Sequence, residues 1–190
     1  GSFMGMEDVI LSATGYTGEA GLEIYFRADT LVGPSEIWER LLAAGIEPCG
    51  LGSRDSLRLE MGYALYGNDI TASTTPLEAG LGWVTKLSKG RFLGSDALTA
   101  QKAAGVTKKL VGFTLSVPRA IPRSHYRLGD ATGAVIGEVS SGGQSIVKGI
   151  GIGMGYVDAA HASEGTKIFV EIRNQWVEAV VTRPPFIKKA

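Results

Sequence analysis

The stretch AVIGEVSSGGQSIVKGIGIGMGY, residues 134–156, decides the fold class of the C-terminal part of this chain. Its two apolar segments, residues 134–139 and 150–156, are short and are separated by turn-forming residues, which predicts two neighbouring strands. The segment GIGMG at residues 151–155 resembles a dinucleotide-binding fingerprint only superficially. The spacing of the third glycine is missing, and a strand follows where a helix is required. We therefore interpret these glycines as positions where the backbone bends in a barrel.

Outward from this stretch, the rest of the C-terminal part is also a series of short strands separated by turn residues. The predicted strands are residues 110–115, 124–128, 134–139, 150–156, 167–172 and 176–182. Strands of this length at this spacing favour a barrel or a sandwich.

The N-terminal part has a mixed pattern of helices and strands. Strands are predicted at residues 9–11, 22–26 and 81–86, and helices from Pro34 to Gly45, from a Ser53 cap to Gly62 and from a Ser95 cap to Gly105. The chain therefore divides into an α+β part, residues 1–105, and an all-β part, residues 106–190.

Composition excludes several classes of function. The 190 residues contain 19 Lys+Arg and 19 Asp+Glu, so the net charge of zero argues against strong non-specific attraction to nucleic acid or to an anionic membrane. A single cysteine, Cys49, excludes an internal disulfide and a cysteine-rich metal site. The two histidines, His125 and His161, are far apart in the sequence, so we expect no metal site. No apolar run approaches the roughly 20 residues that span a bilayer.

Arg54 is a candidate binding residue at the start of the second predicted helix. A cation at this end of a helix opposes the helix dipole, so its presence needs a partner. Asp55 offers a simple surface ion pair, whereas a functional role would have the guanidinium meet a carboxylate from elsewhere. The local sequence leaves both interpretations open.

Glu23 is a second candidate. If Leu22, Ile24 and Phe26 face a core, then Glu23 lies on the opposite face of its strand beside Tyr25. The carboxylate either belongs to a solvated strand face or accepts two hydrogen bonds from an amidine-like edge such as a 2-aminopyrimidinone.

Several long segments together resemble the glycine cleavage T-protein family of aminomethyltransferases. The matching segments are ATGYTGE at 13–19, GLEIY at 21–25, GLGSRDSLRLE at 50–60, LYGNDI at 65–70, PLEAGLGW at 76–83, LVGF at 110–113, IPR at 121–123 and MGYV at 154–157. They occur in order over nearly the whole chain. Ser145 is followed by Ile146 where relatives commonly have Ser-Pro, which puts the local turn in question.

The resemblance implies a fold, an activity and a partner. The fold is α+β: an antiparallel sheet with helices, residues 1–105, that forms part of a folate-binding domain, followed by a C-terminal all-β barrel, residues 106–190. The activity is transfer of the one-carbon unit from the aminomethyl-lipoyl arm of H-protein to tetrahydrofolate, with release of ammonia and without a metal. The implied partners are lipoylated H-protein and tetrahydrofolate, and neither nucleic acid nor a membrane is expected as a partner. The implied location is the cytoplasm or, in a eukaryote, the mitochondrial matrix.

The resemblance also implies roles for individual residues. Tyr16, Glu23 and Arg54 match residues that line the folate pocket, where Glu23 holds the amino edge of the pterin. Tyr66 is a further folate-binding candidate, and Lys188 lies where relatives often carry a basic residue that reaches the site. Trp83 is expected in the core.

The resemblance covers roughly the second half of the family's length. The family's catalytic aspartate belongs to the other half, so no catalytic residue is assigned here, and we expect the chain alone to bind tetrahydrofolate weakly or not at all and to be catalytically incomplete. Two alternatives are another folate-accepting demethylase and a non-catalytic folate-binding scaffold related to iron–sulfur assembly factors. Cys49 does not match the cysteine motif of those factors and is interpreted as a buried structural cysteine.

Overall fold

The computed structural model describes residues 1–29 and 33–188 and separates into two compact units, Gly1–Arg58 and Leu59–Ala190. Its helices are α1 (Pro34–Ala43), α2 (Leu51–Glu60) and α3 (Ser95–Ala104). Its strands are β1 (Ile10–Ser12), β2 (Glu23–Tyr25), β3 (Lys108–Leu115), β4 (Arg127–Gly129), β5 (Val135–Gln144), β6 (Gly151–Asp158), β7 (Lys167–Ile172) and β8 (Gln175–Val181). Among the described residues, no helix is both long and apolar enough to cross a membrane.

The sheet of the first unit is a pair of antiparallel strands, β1 and β2, in which Ser12 lies opposite Glu23. Its small core contains Met6, Val9 and Ile37. The half-buried Ile24 packs against this core, so the predicted alternation around Glu23 is confirmed for the middle of the strand. Leu22 is 61% exposed and does not share the burial that the pattern predicted.

The two predicted helices of this region form, and only the start of the second differs from the prediction. Helix α1 begins at Pro34, as predicted, because proline is well suited to the first turn. Helix α2 begins at Leu51, so the prediction of Ser53 as its N-cap is wrong. The Gly50 carbonyl already accepts the N–H of Ser53 at 3.1 Å, which places Ser53 inside the first turn.

The segment between α2 and the barrel is mostly irregular. The strand predicted at residues 81–86 is wrong: the segment forms turns, and the Thr85 hydroxyl donates back to the Leu81 carbonyl at 3.0 Å. Trp83 is 72% exposed, so its prediction as a core residue is wrong as well. Helix α3 ends before Gly105 as predicted, but its N-cap is Gly94. Ser95 is the first helical residue, and its hydroxyl accepts the N–H of Phe92 at 3.3 Å.

The all-β part is a closed barrel of six antiparallel strands in the order β3-β6-β5-β4-β7-β8. This confirms an α+β region followed by an all-β barrel. The barrel core is built from inward-facing apolar residues of every strand, including Phe113, Leu115, Leu128, Val139, Val157, Ile168 and Val170. Closure leaves no strand edge unpaired, which stabilises an all-β domain without large helices.

The glycines of β6 allow the neighbouring strands to approach closely. A Cβ atom on Gly155 would lie 2.5 Å from the Glu138 carbonyl oxygen, and one on Gly153 would lie 2.5 Å from the ring of Phe113. Both distances are too short for real contacts, so these positions require glycine for close packing. Residues 151–155 thus belong to a barrel strand, as predicted, but their glycines permit close packing within the continuous strand β6 and do not mark a bend of its backbone.

Candidate functional site

Glu23 lies on β2 with its carboxylate held by two hydroxyl groups of the same unit. Thr14 Oγ1 donates to Glu23 Oε2 at 2.7 Å, and the Tyr25 hydroxyl donates to the same oxygen at 3.2 Å. The pairing of β1 with β2 brings Thr14 next to Glu23, while Tyr25 follows two positions along the strand on the same face. A carboxylate has about four acceptor positions, so Glu23 retains capacity for further donors.

The contact with Glu23 changes the acidity of Tyr25. The hydrogen bond to the Glu23 carboxylate, reinforced by its negative charge, raises the pKa of the Tyr25 hydroxyl above the usual value. Tyr25 therefore stays protonated at neutral pH and continues to act as a donor. The result is a carboxylate in a fixed orientation on a half-buried strand.

Arg54 and Tyr16 form the second element of the site. The Arg54 guanidinium carbon lies 4.3 Å from the centroid of the Tyr16 ring, which is a cation–π contact. Asp55 instead accepts hydrogen bonds from Arg58, whose Nε and Nη2 lie 2.8 and 2.7 Å from Asp55 Oδ1. The simple ion pair between Arg54 and Asp55 is therefore not what the structure forms.

The remaining two predicted site residues belong to the second unit. Tyr66 is 71% exposed, and its backbone forms a single bridge with Ile70. Lys188 is exposed and follows the buried Phe186 near the end of the described residues. The structure thus brings Tyr16 and Arg54 into contact and orients Glu23, while the binding roles of all five residues remain predictions.

Sequence reasoning missed a buried carboxylate in the LYGNDI segment. Asp69 is fully buried and accepts hydrogen bonds from the Leu65 N–H at 2.8 Å and from the hydroxyl of Ser141 at 2.9 Å. The Ser140 hydroxyl donates to its other oxygen, and the Tyr156 hydroxyl donates to the Asp69 carbonyl at 2.8 Å. Asp69 therefore fixes the loop of residues 65–70 to the barrel strands β5 and β6.

Glu60 has a comparable structural role at the end of the GLGSRDSLRLE segment. Its buried carboxylate accepts the Val147 N–H at 3.1 Å and the Ser145 hydroxyl, and its carbonyl accepts the Phe186 N–H at 2.8 Å. These hydrogen bonds from Glu60 stabilise the turn at Ser145, where this sequence departs from the usual Ser-Pro. Ile146 lies at the tip of the turn and is 75% exposed. The position of Glu60 directly after the apolar Leu59 does not distinguish it from a solvent-exposed acidic residue of a helix, so the sequence offered no signal for this role.

The only cysteine of the chain does not have the predicted environment. Cys49 is exposed, so its interpretation as a buried structural cysteine is wrong. It lies in the segment before α2, where residues 43–55 are all exposed and no apolar layer covers the thiol.

Comparisons with known proteins give the same assignment for both parts of the chain. Residues 2–89 match the family model described as the GCVT N-terminal domain, and residues 108–188 match the glycine cleavage T-protein C-terminal barrel domain. A protein named aminomethyltransferase from Phocaeicola vulgatus is 50% identical over 193 residues, covering 99% of this chain and 52% of the relative. One of the same name from Flavobacterium psychrophilum is 49% identical, covering 100% of this chain and 52% of the relative.

A solved structure agrees with these sequence matches. The crystal structure of glycine cleavage system aminomethyltransferase T from Bartonella henselae is 36% identical, with a TM-score of 0.88 over 96% of this chain and 50% of that one. The chain spans about half the length of the relatives it matches.

Proposed function

The chain belongs to the glycine cleavage T-protein family, and we propose that it functions in the transfer of an aminomethyl-derived one-carbon unit to tetrahydrofolate. In this reaction the carbon leaves the lipoyl arm of H-protein, ammonia is released and 5,10-methylenetetrahydrofolate forms. We propose H-protein and tetrahydrofolate as its partners and the cytoplasm as its location.

The orientation of the Glu23 carboxylate is the observation that carries this proposal. The edge of a 2-amino-4-oxopteridine presents two adjacent N–H donors, and Glu23 Oε1, which Thr14 and Tyr25 leave free, has two acceptor positions for them. Thr14 and Tyr25 both donate to Oε2, so the carboxylate is oriented before a ligand arrives and little side-chain freedom is lost on binding. This favours a pterin over a ligand with acidic edges, which Glu23 would repel.

Arg54 and Tyr16 support the same ligand. The stack on Tyr16 limits the conformations of Arg54, and the planar guanidinium is suited to bind a carboxylate such as that of the glutamate portion of folate. Tyr66 and Lys188 are proposed as further folate-binding residues. In functional terms we propose a folate-binding region at residues 1–105 and a barrel domain at residues 106–190.

Binding of tetrahydrofolate to the 190-residue chain tests the role of Glu23. Nuclear magnetic resonance is suitable because the expected affinity is low. We expect tetrahydrofolate to perturb the amide signals of residues 14–25 and of Arg54, and we expect Glu23→Gln to abolish these changes. Glu19→Gln, at an exposed position in the same segment, is the matched control and should leave them intact. Equal perturbation in the wild type and in Glu23→Gln would contradict the assignment.

A second measurement separates the proposed reaction from demethylation. The chain spans about half the length of its relatives, so it is first combined with the remaining half of the Phocaeicola vulgatus relative, and aminomethylated H-protein and small N-methyl donors such as sarcosine are then each incubated with this mixture and tetrahydrofolate. Ammonia release from the H-protein substrate supports aminomethyl transfer, whereas turnover of the methyl donors alone would assign the chain to the demethylase class.

A further inference from the structure

A cavity at one end of the barrel has a chemistry that the proposed function does not use. It lies where β3 and β7 end and where β4 and β8 begin, with a volume of about 540 Å³. This volume falls within the range of about 300–1,000 Å³ that is typical of small-molecule sites. The described residues that line it are Pro118, Arg119, Ala120, Ile121, Arg123, Tyr126, Ile172, Arg173, Gln175 and Val177.

The charge of this lining is entirely positive. Arg119, Arg123 and Arg173 all border the cavity, and none of the described lining residues is acidic. The three arginines also take no part in the ion pairs found among the described residues. The nearest acidic residue along β7, Glu171, is engaged by Arg127. Because guanidinium groups stay protonated at any physiological pH, the cavity carries a charge of about +3 in a chain of net charge zero.

The backbone positions of two of these arginines are unusual. Arg119 has a φ of 60° and Arg173 a φ of 52°, in the left-handed region that residues other than glycine, asparagine and aspartate rarely adopt. Arg173 and Asn174 form the two-residue turn between β7 and β8, a turn for which Asn-Gly is the favoured sequence. At position 173, arginine therefore occupies a turn position at which a smaller residue would be more stable.

The remaining lining adds hydrogen-bonding and apolar groups. Tyr126 and Gln175 supply a hydroxyl and an amide, while Ile121, Ile172 and Val177 form half-buried apolar surface. Guanidinium groups bind carboxylates and phosphates through paired hydrogen bonds. We propose that this cavity binds a small organic anion that bears at least two carboxylate or phosphate groups. A concave site of this volume that combines exposed arginines with half-buried apolar residues favours a small molecule over an acidic protein segment, which requires a longer surface.

Calorimetric titration of the full chain at low ionic strength tests the proposal, with inorganic pyrophosphate and citrate as probes. We expect saturable binding of one molecule per chain by at least one probe. Binding of pyrophosphate alone assigns a phosphate ligand and binding of citrate alone a carboxylate ligand. Arg123→Gln and Arg173→Asn should each weaken binding about tenfold.

Two variants distinguish a binding role from a structural one. Arg173→Asn places a residue that tolerates a positive φ in the turn, so the thermal midpoint of the variant should be maintained or raised while its binding weakens about tenfold. Lys109→Gln removes an exposed charge at the opposite end of β3 and should leave binding unchanged. The proposal is overturned if neither probe saturates, if Lys109→Gln weakens binding as much as Arg123→Gln, or if a polyglutamate peptide binds while both small anions do not.

Discussion

The hydroxyl of Ser141 donates a hydrogen bond of 2.9 Å to the carboxylate of Asp69, 72 positions away, and both residues are buried. The adjacent Ser140 donates to the other oxygen of the same carboxylate. Successive residues of a regular strand point to opposite faces, but the register of β5 against β6 shifts between Val139 and Ser141. This bulge turns both serine hydroxyls toward Asp69, so an irregularity of the strand creates the anchor for the loop of residues 65–70.

Replacement of Asp69 should therefore destabilise the fold. Asp69→Ala leaves the Leu65 N–H and two serine hydroxyls without their acceptor, and we expect a loss of about 2–4 kcal/mol in the free energy of unfolding. Urea denaturation monitored by circular dichroism measures the change. Asp158→Ala, at an exposed position on β6, is the control and should lie within about 0.5 kcal/mol of the wild type. A similarly small effect of Asp69→Ala would show that the loop does not depend on this carboxylate.

The contact between Arg54 and Tyr16 can be measured by a double-mutant cycle. Tyr16→Leu removes the aromatic face and Arg54→Met removes the charge while keeping most of the side-chain length. We expect a coupling of about 0.5–1 kcal/mol in the free energy of unfolding, the range for exposed cation–π contacts. Arg54→Lys retains the charge but not the planar stack and should keep only part of the coupling. Additive effects of the two single substitutions would refute the contact.

Much of the architecture is predictable from the sequence because periodicity and turn residues act locally. The strand at residues 167–172 has the predicted bounds, and α3 ends before Gly105. The failure at residues 81–86 has a local cause that the apolar pattern does not reveal. Residues 81–86 have the composition of a strand, but the segment instead closes a turn, with the Thr85 hydroxyl bonded to the Leu81 carbonyl.

The candidate site depends on both local and non-local information. The position of Glu23 on a strand beside Tyr25 follows from alternation alone. The hydrogen bond from Thr14 depends on the register of β1 against β2, which no local pattern specifies. The partner of Arg54 could not be chosen from its neighbours either, since Asp55 is engaged by Arg58 one turn along the helix.

Tyr25 should titrate at a lower pH when Glu23 loses its charge. The Glu23 carboxylate raises the pKa of Tyr25, so Glu23→Gln should shift the phenolate absorbance transition toward the usual value of about 10. Because the pKa is raised in the folded state, this contact stabilises the fold below the pKa of the unfolded chain and is lost as pH rises through the folded value. Subtracting the titration of Tyr25→Phe isolates the signal of Tyr25 from those of the other tyrosines. An unchanged Tyr25 transition in Glu23→Gln would contradict the hydrogen bond between the two side chains.

The pair formed by Arg127 and Glu171 predicts an acid-dependent loss of stability in the barrel. Arg127 joins β4 to β7 by donating from Nη2 to Glu171 Oε1 at 2.7 Å and from Nε to Oε2, and these bonds lower the pKa of Glu171 below its usual value. A carboxylate with a lowered pKa in the folded state stabilises the fold above the pKa of the unfolded chain. The contribution is lost as pH falls through the lower, folded value.

We expect the difference in unfolding free energy between the wild type and Glu171→Gln to be largest near neutral pH and to shrink below about pH 4.5. Urea denaturation at a series of pH values measures this difference. Glu164→Gln, at an exposed position before β7, should show no such convergence, and a constant difference for Glu171→Gln across the acid range would contradict the ion pair.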